Sequence, residues 1–450
     1  MNGSYNTREI ALIILKQINY DGKYSNFALK NELKRYSLPK RDIAFITQLV
    51  YGTLERQITL DWVLGNFTKI KKKNPWLINI LRMGCYQILY LDRVPDSAAC
   101  NEAVELTKKY VTKSLSGYVN GVLRNISRNV DNIKKPSIEK DPITYFMVEY
   151  SCPRWLCNMW YKQYGLDHMH FILDSVALKD ITTLRVNSIK TDKTELIYNL
   201  DKLGINGIEE GLYMHGALRI RNIGNIEGNL QYIRGNCAIQ SESSMLSVTA
   251  MDVMPGEHVL DACSAPGGKA CYMAQIMNNV GIVDAWDIHP HRVALIEKNA
   301  KRLGTSIVRA REKDATVPSD TYRKLYDKVL LDVPCSGLGM MHKKPDIKLR
   351  ITEKGIQKII DIQRDILNTC ANYVKPDGIL IYSTCTINRD ENENIIYEFL
   401  DTRTDFELDE ISSFMPEALK KNVKSRGMIQ ILPGRDDIDG FFIARLRRKS

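Results

Sequence analysis

The stretch LDACSAPGGKA, residues 260–270, runs an apolar strand into a glycine turn and on toward a helix. Gly267 and Gly268 permit backbone angles and a close ligand approach that a Cβ would block. A triphosphate-binding P-loop would need Gly five residues before Gly268 and Ser or Thr after Lys269. Those positions hold Cys263 and Ala270, and the spacing G-x-G-x-x-G is absent as well.

Around this turn the pattern is β-α-β. HVLDAC, GIVDAWDI, SIVRAR, YDKVLLDV and GILIYST read as strands. RVALIEKNAKRLG and a longer stretch from about 353 to 374 read as helices. Short apolar strands alternating with amphipathic helices predict a parallel sheet covered on both faces, with ligands at the carboxyl ends of its strands. The second strand ends in Asp287, placed to accept hydrogen bonds from ribose hydroxyls. Asp314 follows the third strand and Asp332 closes the fourth. Carboxylates at three successive strand ends suit a neutral or cationic nucleoside better than a polyphosphate.

Two strands end on cysteines. YDKVLLDVPCSG, 326–337, leads to Cys335, and ILIYSTCTINRDENEN, 379–394, leads to Cys385 before turning into a charged tail that reads as solvated. If these are neighbouring strands, about 4.8 Å apart, both sulfurs reach one ligand. Cys85, Cys100, Cys237, Cys271 and Cys370 read as small buried apolar residues instead.

The bulk numbers bound the class. With 450 residues, 44% hydrophobic and 26% charged, the chain is an ordinary globular one with room for two to four domains. No apolar run nears the roughly 20 residues needed to span a bilayer, and MNGSYNTREI lacks a signal-peptide core, so no membrane association and a cytoplasmic location are expected. The ten cysteines include no C-x-x-C pair, and Cys152 and Cys157 in CPRWLC have the wrong spacing for zinc; no metal is expected. Residues 1–140 carry 23 Lys and Arg against 12 Asp and Glu, a net +11, and the remainder nets −1. A basic front half is an electrostatic footprint for nucleic acid.

NTREIALIILKQI, DIAFITQLVYGTLER, PWLINILRMGCYQILYL and SAACNEAVELTKKYV predict an all-helical domain over 1–128, with KIKKKNP at 69–75 as a basic loop. RNVDNIKKPSIEKDP marks a linker over 129–144, and 145–240 reads as a small α+β module before the domain at 241–450. GMMHKKPDIKLR, 339–350, follows Cys335 with His342, Lys343, Lys344, Lys348 and Arg350, and reads as a basic loop suited to phosphates.

DACSAPGGK, DIHPHRV, LLDVPCSG and YSTCT, in this order and spacing, resemble the RNA cytosine-5 methyltransferases of the NOL/NOP2/Sun family over residues 240–450, down to DGFFIARL at 439–446. The resemblance implies an α/β Rossmann-like methyltransferase domain that uses S-adenosyl-L-methionine. It assigns the cofactor to Cys263, Ser264, Ala265, Pro266, Gly267, Gly268, Lys269, Asp287, Arg292, Asp314 and Asp332. It makes Cys385 the nucleophile at cytosine C6 and Cys335 the residue that assists release. Asp332 would hydrogen-bond the base near N3, and Lys269 would position substrate or bias the local field. The departures are Ala270 where Thr is frequent, Lys313 where Gly commonly precedes the Asp, and Thr386 where Ser is frequent. The spacing YSCPRWL, with Cys152 where His is usual, puts one local contact in doubt.

RDIAFITQLVYGTLER, LRMGCYQILYLDRVP and NEAVELTKKY are similar to the helical RNA-binding domain of the antitermination factor NusB. A NusB-like domain joined to this catalytic half resembles the bacterial 16S rRNA cytosine-5 methyltransferases of the RsmB/Sun/Fmu type. That implies 16S rRNA as partner, before subunit assembly is complete, and a monomeric enzyme. Another RNA substrate such as tRNA, or a non-catalytic RNA-binding assembly or antitermination factor, are the alternatives. An amino-group methyltransferase would place Asn/Asp-Pro-Pro-aromatic after the fourth strand, where this chain has DVPCSG.

Overall fold

In the computed structural model the described residues are 5–69, 74–175, 181–221, 223, 224, 226–343 and 347–450. Residues 70–73 of the basic loop and Lys344 lie outside them. The chain forms two compact units: residues 1–165 with 348–350, and residues 166–347 with 351–450.

The first unit is helical. Its helices run over Thr7–Asn19, Ser25–Leu33, Lys40–Glu55, Gln57–Phe67, Pro75–Tyr90, Asp96–Tyr110, Ser116–Arg128 and Pro142–Glu149. Their starts follow local chemistry. Asn6 accepts hydrogen bonds from the N–H groups of Arg8 and Glu9, and Asn74 does the same for Trp76 and Leu77 with Pro75 in the first turn. Ile10, Leu15, Leu49, Ile80, Leu123 and Ile126, at helical spacing, meet in one core. Gly84 lets two helices close up, since a Cβ there would lie 2.7 Å from Leu123 Cδ1.

Residues 348–350 fold with this unit. Lys348, expected to face phosphates, is buried and donates to the carbonyls of Glu55 and Tyr150 at 3.1 and 3.0 Å. Burial pulls its ammonium down to about 8. The Arg350 guanidinium lies over the Tyr24 ring. Residues 145–165, read from sequence as part of the small α+β module, group with the helices, and the chain breaks helical geometry at Gly165 (φ 74, ψ 176).

In the second unit, β1 (Ile181–Val186), β2 (Ile208–Glu210), β3 (Ala217–Arg221) and β4 (Cys237–Ile239) form an antiparallel sheet in the order β2-β3-β1-β4. The larger sheet is built from β5 (His258–Asp261), β6 (Ile282–Asp287), β7 (Val308–Glu312), β8 (Tyr326–Asp332), β9 (Val374–Thr384), β10 (Phe406–Leu408), β11 (Val423–Ser425), β12 (Met428–Ile431) and β13 (Phe441–Arg448). Its order is β11-β12-β13-β9-β8-β5-β6-β7, with β10 on β13. Strands β5 to β9 pair in parallel, and β13 runs antiparallel against β9. The small sheet is stitched to the larger domain through Arg185, which bonds the Gln240 side chain and the Gly268 carbonyl, and through Asn187, which donates to the carbonyls of Gly235 and Leu303. Among the described residues no helix is long and apolar enough to cross a membrane.

A buried ion pair braces the first unit. Arg82, 5% exposed, makes a two-pronged contact with Asp61 at 2.7 and 2.8 Å. Asp61→Ala leaves that guanidinium unpaired and is expected to cost about 3 kcal/mol in urea unfolding. A midpoint matching the parent would show that Arg82 finds another partner or water.

Candidate active site

Strands β5 and β8 are parallel neighbours at the centre of the large sheet, with β6 and β7 on one side and β9 on the other. The crevice at their carboxyl ends is where an open parallel sheet takes a ligand. The loop after β5 lines it. Ser264 N–H donates to the Trp286 carbonyl at 2.8 Å and Gly267 N–H to the Ser264 carbonyl at 2.7 Å, which folds Cys263–Gly267 over the strand ends. Gly267, at φ 93, precedes the helix Gly268–Ile276, and a Cβ there would sit 3.2 Å from Ile296 Cα. Burial pushes the Cys263 thiol well up.

Asp287 is 4% exposed; it accepts from His289 N–H at 3.1 Å and pairs with Arg292 at 3.2 Å. Arg292 also donates to the Ala265 carbonyl at 3.3 Å, tying the end of β6 to the glycine loop. Asp314 accepts from the Thr316 N–H and hydroxyl through Oδ1. Beneath the glycine loop the buried Asp261 carboxyl faces the Ser264 hydroxyl and the Cys263 backbone. Burial pushes Asp261 up to about 7 against the pull of Lys269. Asp261 was not singled out from sequence. Its position as the last residue of the strand before the glycine loop was the available signal.

The two strand-end cysteines meet. Asp332 pairs with Ser383 in the β8–β9 register, and three residues beyond Asp332 the Cys335 sulfur lies 3.3 Å from that of Cys385. The contact with Cys385 and burial both push the Cys335 thiol well above its usual range, with Glu391 and Asp332 adding negative field. Either sulfur can donate to the other across this contact. Asp332 accepts from Lys269 at 2.6 Å and from the Ser383 hydroxyl at 3.0 Å, and the Lys269 ammonium lies over the Phe441 ring.

The loop after Cys335 departs from its sequence reading. His342 is buried, and it and Lys343 both bond the Asp439 carboxylate, at 2.9 and 2.7 Å. These side chains hold a loop against the segment before β13 and are not presented to phosphates. The tail after Cys385 departs too. Thr386, Asn388, Glu391 and Asn392 are buried, where a solvated tail was expected.

The family model described as 16S rRNA methyltransferase RsmB/F matches residues 248–447. That of the NusB family matches 5–128, and that of the ferredoxin-like domain of RsmF/B-like methyltransferases matches 152–227. The "Probable ribosomal RNA small subunit methyltransferase B" of Bacillus subtilis (strain 168) is 39% identical over 445 residues, covering 98% of each chain. The chain belongs to the RsmB/F family of 16S rRNA methyltransferases. Among solved structures, PH0851 is 26% identical, with a TM-score of 0.81 and 100% coverage of both chains. A methyltransferase homologue from Pyrococcus horikoshii is 27% identical, with a TM-score of 0.58 over 68% of this chain and 99% of its own. The Rossmann-like domain, the NusB-like domain and the small module are thus features this chain shares with its family.

Three backbones pinch together at the site. Gly339 N–H donates to the Cys385 carbonyl at 3.0 Å, and Gly440 N–H to the Gly339 carbonyl at 3.1 Å. A Cβ on Gly339 would fall 2.2 Å from the Gly440 oxygen and 2.8 Å from the Cys385 oxygen. Gly339→Ala is therefore expected to displace the Cys385 peptide and lower turnover by roughly a hundredfold, the scale of a 1 Å misplacement. Steady-state assay of that variant at parental cofactor affinity would measure it.

Proposed function

We propose that this protein methylates C5 of a cytosine in 16S rRNA through a covalent bond between Cys385 and C6. The observation that carries the reading is the 3.3 Å approach of Cys335 and Cys385 beside the Asp332–Lys269 pair. Cytosine C5 is a poor nucleophile while the ring is conjugated. Addition of the Cys385 thiolate to C6 breaks the conjugation and gives C5 enamine character. Asp332, oriented by Lys269 and Ser383, is the group for the cytosine N3 edge. After methyl transfer a base takes the C5 proton and the C6–S bond breaks. The Cys335 S–H then donates to the departing sulfur, stabilising it as a leaving group.

S-adenosyl-L-methionine would supply the sulfonium methyl. The residues fit it: the Cys263–Lys269 loop approaches without side-chain bulk at the glycines, and Asp287 and Asp314 offer carboxylate oxygens for hydroxyl and amino donors. Arg292 would act through Asp287 and the loop carbonyl. A cytosine must leave the stack, or lie in a loop, to reach this site. We assign RNA binding to the helical region 1–128 and to the small module that begins after Gly165 and runs to 240, and methyl transfer to the domain at 241–450, in a monomer acting before subunit assembly is complete.

Purified protein should transfer radiolabelled methyl from S-adenosyl-L-methionine to unmodified 16S rRNA, and bisulfite mapping should place it at one cytosine. Binding without incorporation would favour a non-catalytic factor. Cys385→Ala should lose both turnover and any RNA adduct, so retained methylation would remove it as nucleophile. In Cys335→Ala, a protein–RNA complex stable in SDS should accumulate, and its absence would leave Cys335 without the release role.

A further inference from the structure

Glu391 lies six residues past Cys385 and is fully buried. Its carboxylate collects donors from both cysteine loops. From the Cys335 loop, Ser336 gives its N–H at 2.7 Å and its hydroxyl at 2.5 Å. From the Cys385 loop, Asn388 gives its side-chain amide at 3.2 Å, and the Thr386 hydroxyl reaches the carboxylate through Ser336. Gln363, on the helix Glu353–Ala371, adds a donor at 3.3 Å and also holds the Pro334 carbonyl at 2.9 Å. Ser336 and Thr386 adjoin the two cysteines and bond each other at 2.8 Å. The Tyr382 hydroxyl, on β9, takes the Glu391 carbonyl at 2.7 Å, so the residue is tied at backbone and side chain alike.

We propose that Glu391 is a positioning residue whose carboxylate laces the Cys335 loop to the Cys385 loop and thereby sets the distance between the two sulfurs. This rests on the reading of those sulfurs as the nucleophile and its release partner. The residue type follows from the donors. A carboxylate accepts at both oxygens, and here donors converge on each. Glutamine would replace one oxygen with an amide that itself donates, setting N–H against N–H or O–H. Burial raises the Glu391 carboxyl above its ordinary range while the Ser336, Asn388 and Gln363 donors pull it back. A site that only needed filling would hold a neutral side chain. Among the described residues neither loop has regular structure of its own beyond short turns, so their separation rests on the Gly339–Cys385 backbone bond and on this side-chain lacing.

Sulfur separation can be read without RNA. Diamide oxidises two adjacent thiols to a disulfide, taking both electrons and both protons, and the Cys335–Cys385 peptide pair can be followed by mass spectrometry. In reduced full-length protein, Glu391→Gln should slow formation of that disulfide about tenfold and lower kcat about a hundredfold, the cost of roughly 1 Å of misplacement. The Kd for S-adenosylhomocysteine and the KM for 16S rRNA should stay within about twofold of the parent. Ser336→Ala, which removes one tie and keeps the carboxylate, should move cross-linking and kcat the same way by a smaller factor. An unchanged cross-linking rate in Glu391→Gln overturns the proposal. So does a loss of cofactor affinity that matches the loss of turnover, which would mark a general structural role. If Glu391→Gln does not fold, parental cross-linking in Ser336→Ala overturns it instead. Should cross-linking respond as expected while the parent protein methylates no RNA, the lacing stands and the methyltransfer reading falls.

Discussion

The parallel pairing of β8 with β9 is the constraint on which the site depends. The register that sets Asp332 beside Ser383 brings two strand ends to the same edge of the sheet, and both chains then turn within a few residues into cysteine-bearing loops. Hydrogen-bonded strands are held at one spacing, so the separation of their ends varies little with thermal motion. That spacing alone would leave two side chains within reach of one ligand. The 3.3 Å contact needs the loops themselves to be held, because irregular backbone beyond a strand has no ladder to position it.

Two sets of contacts do that holding. One is backbone against backbone: Gly339, Cys385 and Gly440 touch through carbonyls and N–H groups where no Cβ fits. The other is the buried carboxylates. Asp439 gathers His342 and Lys343, and their pull outweighs burial to keep it below the usual carboxylate range. Glu391 gathers uncharged donors, and burial prevails. Charge-paired and amide-paired carboxylates thus flank the same pair of loops, one toward β13 and one toward the helix Glu353–Ala371.

The period of the apolar residues exposed most of the architecture. Strands alternating with helices predicted the parallel β5–β9 part of the sheet, though not its antiparallel β10–β13 part, and the helices of the first unit showed their core face at three- and four-residue steps. The strand-end residues Asp287, Asp332, Cys335 and Cys385 could be singled out because polar and sulfur side chains stand where apolar strands give out. What was not legible is which charges are buried. RDENEN and GMMHKKP have the composition of solvated segments, and composition carries no record of a distant partner such as Asp439, some hundred residues on. Lys348 is the extreme case: its ammonium is satisfied by two carbonyls of the helical unit, contacts no local pattern could announce.

The same logic separates the two ends of the crevice. At the Cys263–Gly268 loop, burial raises the Asp261 carboxyl while Lys269 and the Ser264 hydroxyl pull it back. Across the sheet, burial raises the Glu391 carboxyl against the pull of Ser336, Asn388 and Gln363. The two differ in what they tie together. Asp261 ends β5 beneath the glycine turn and is already placed by the strand ladder, whereas Glu391 joins two irregular segments that lie beyond any ladder.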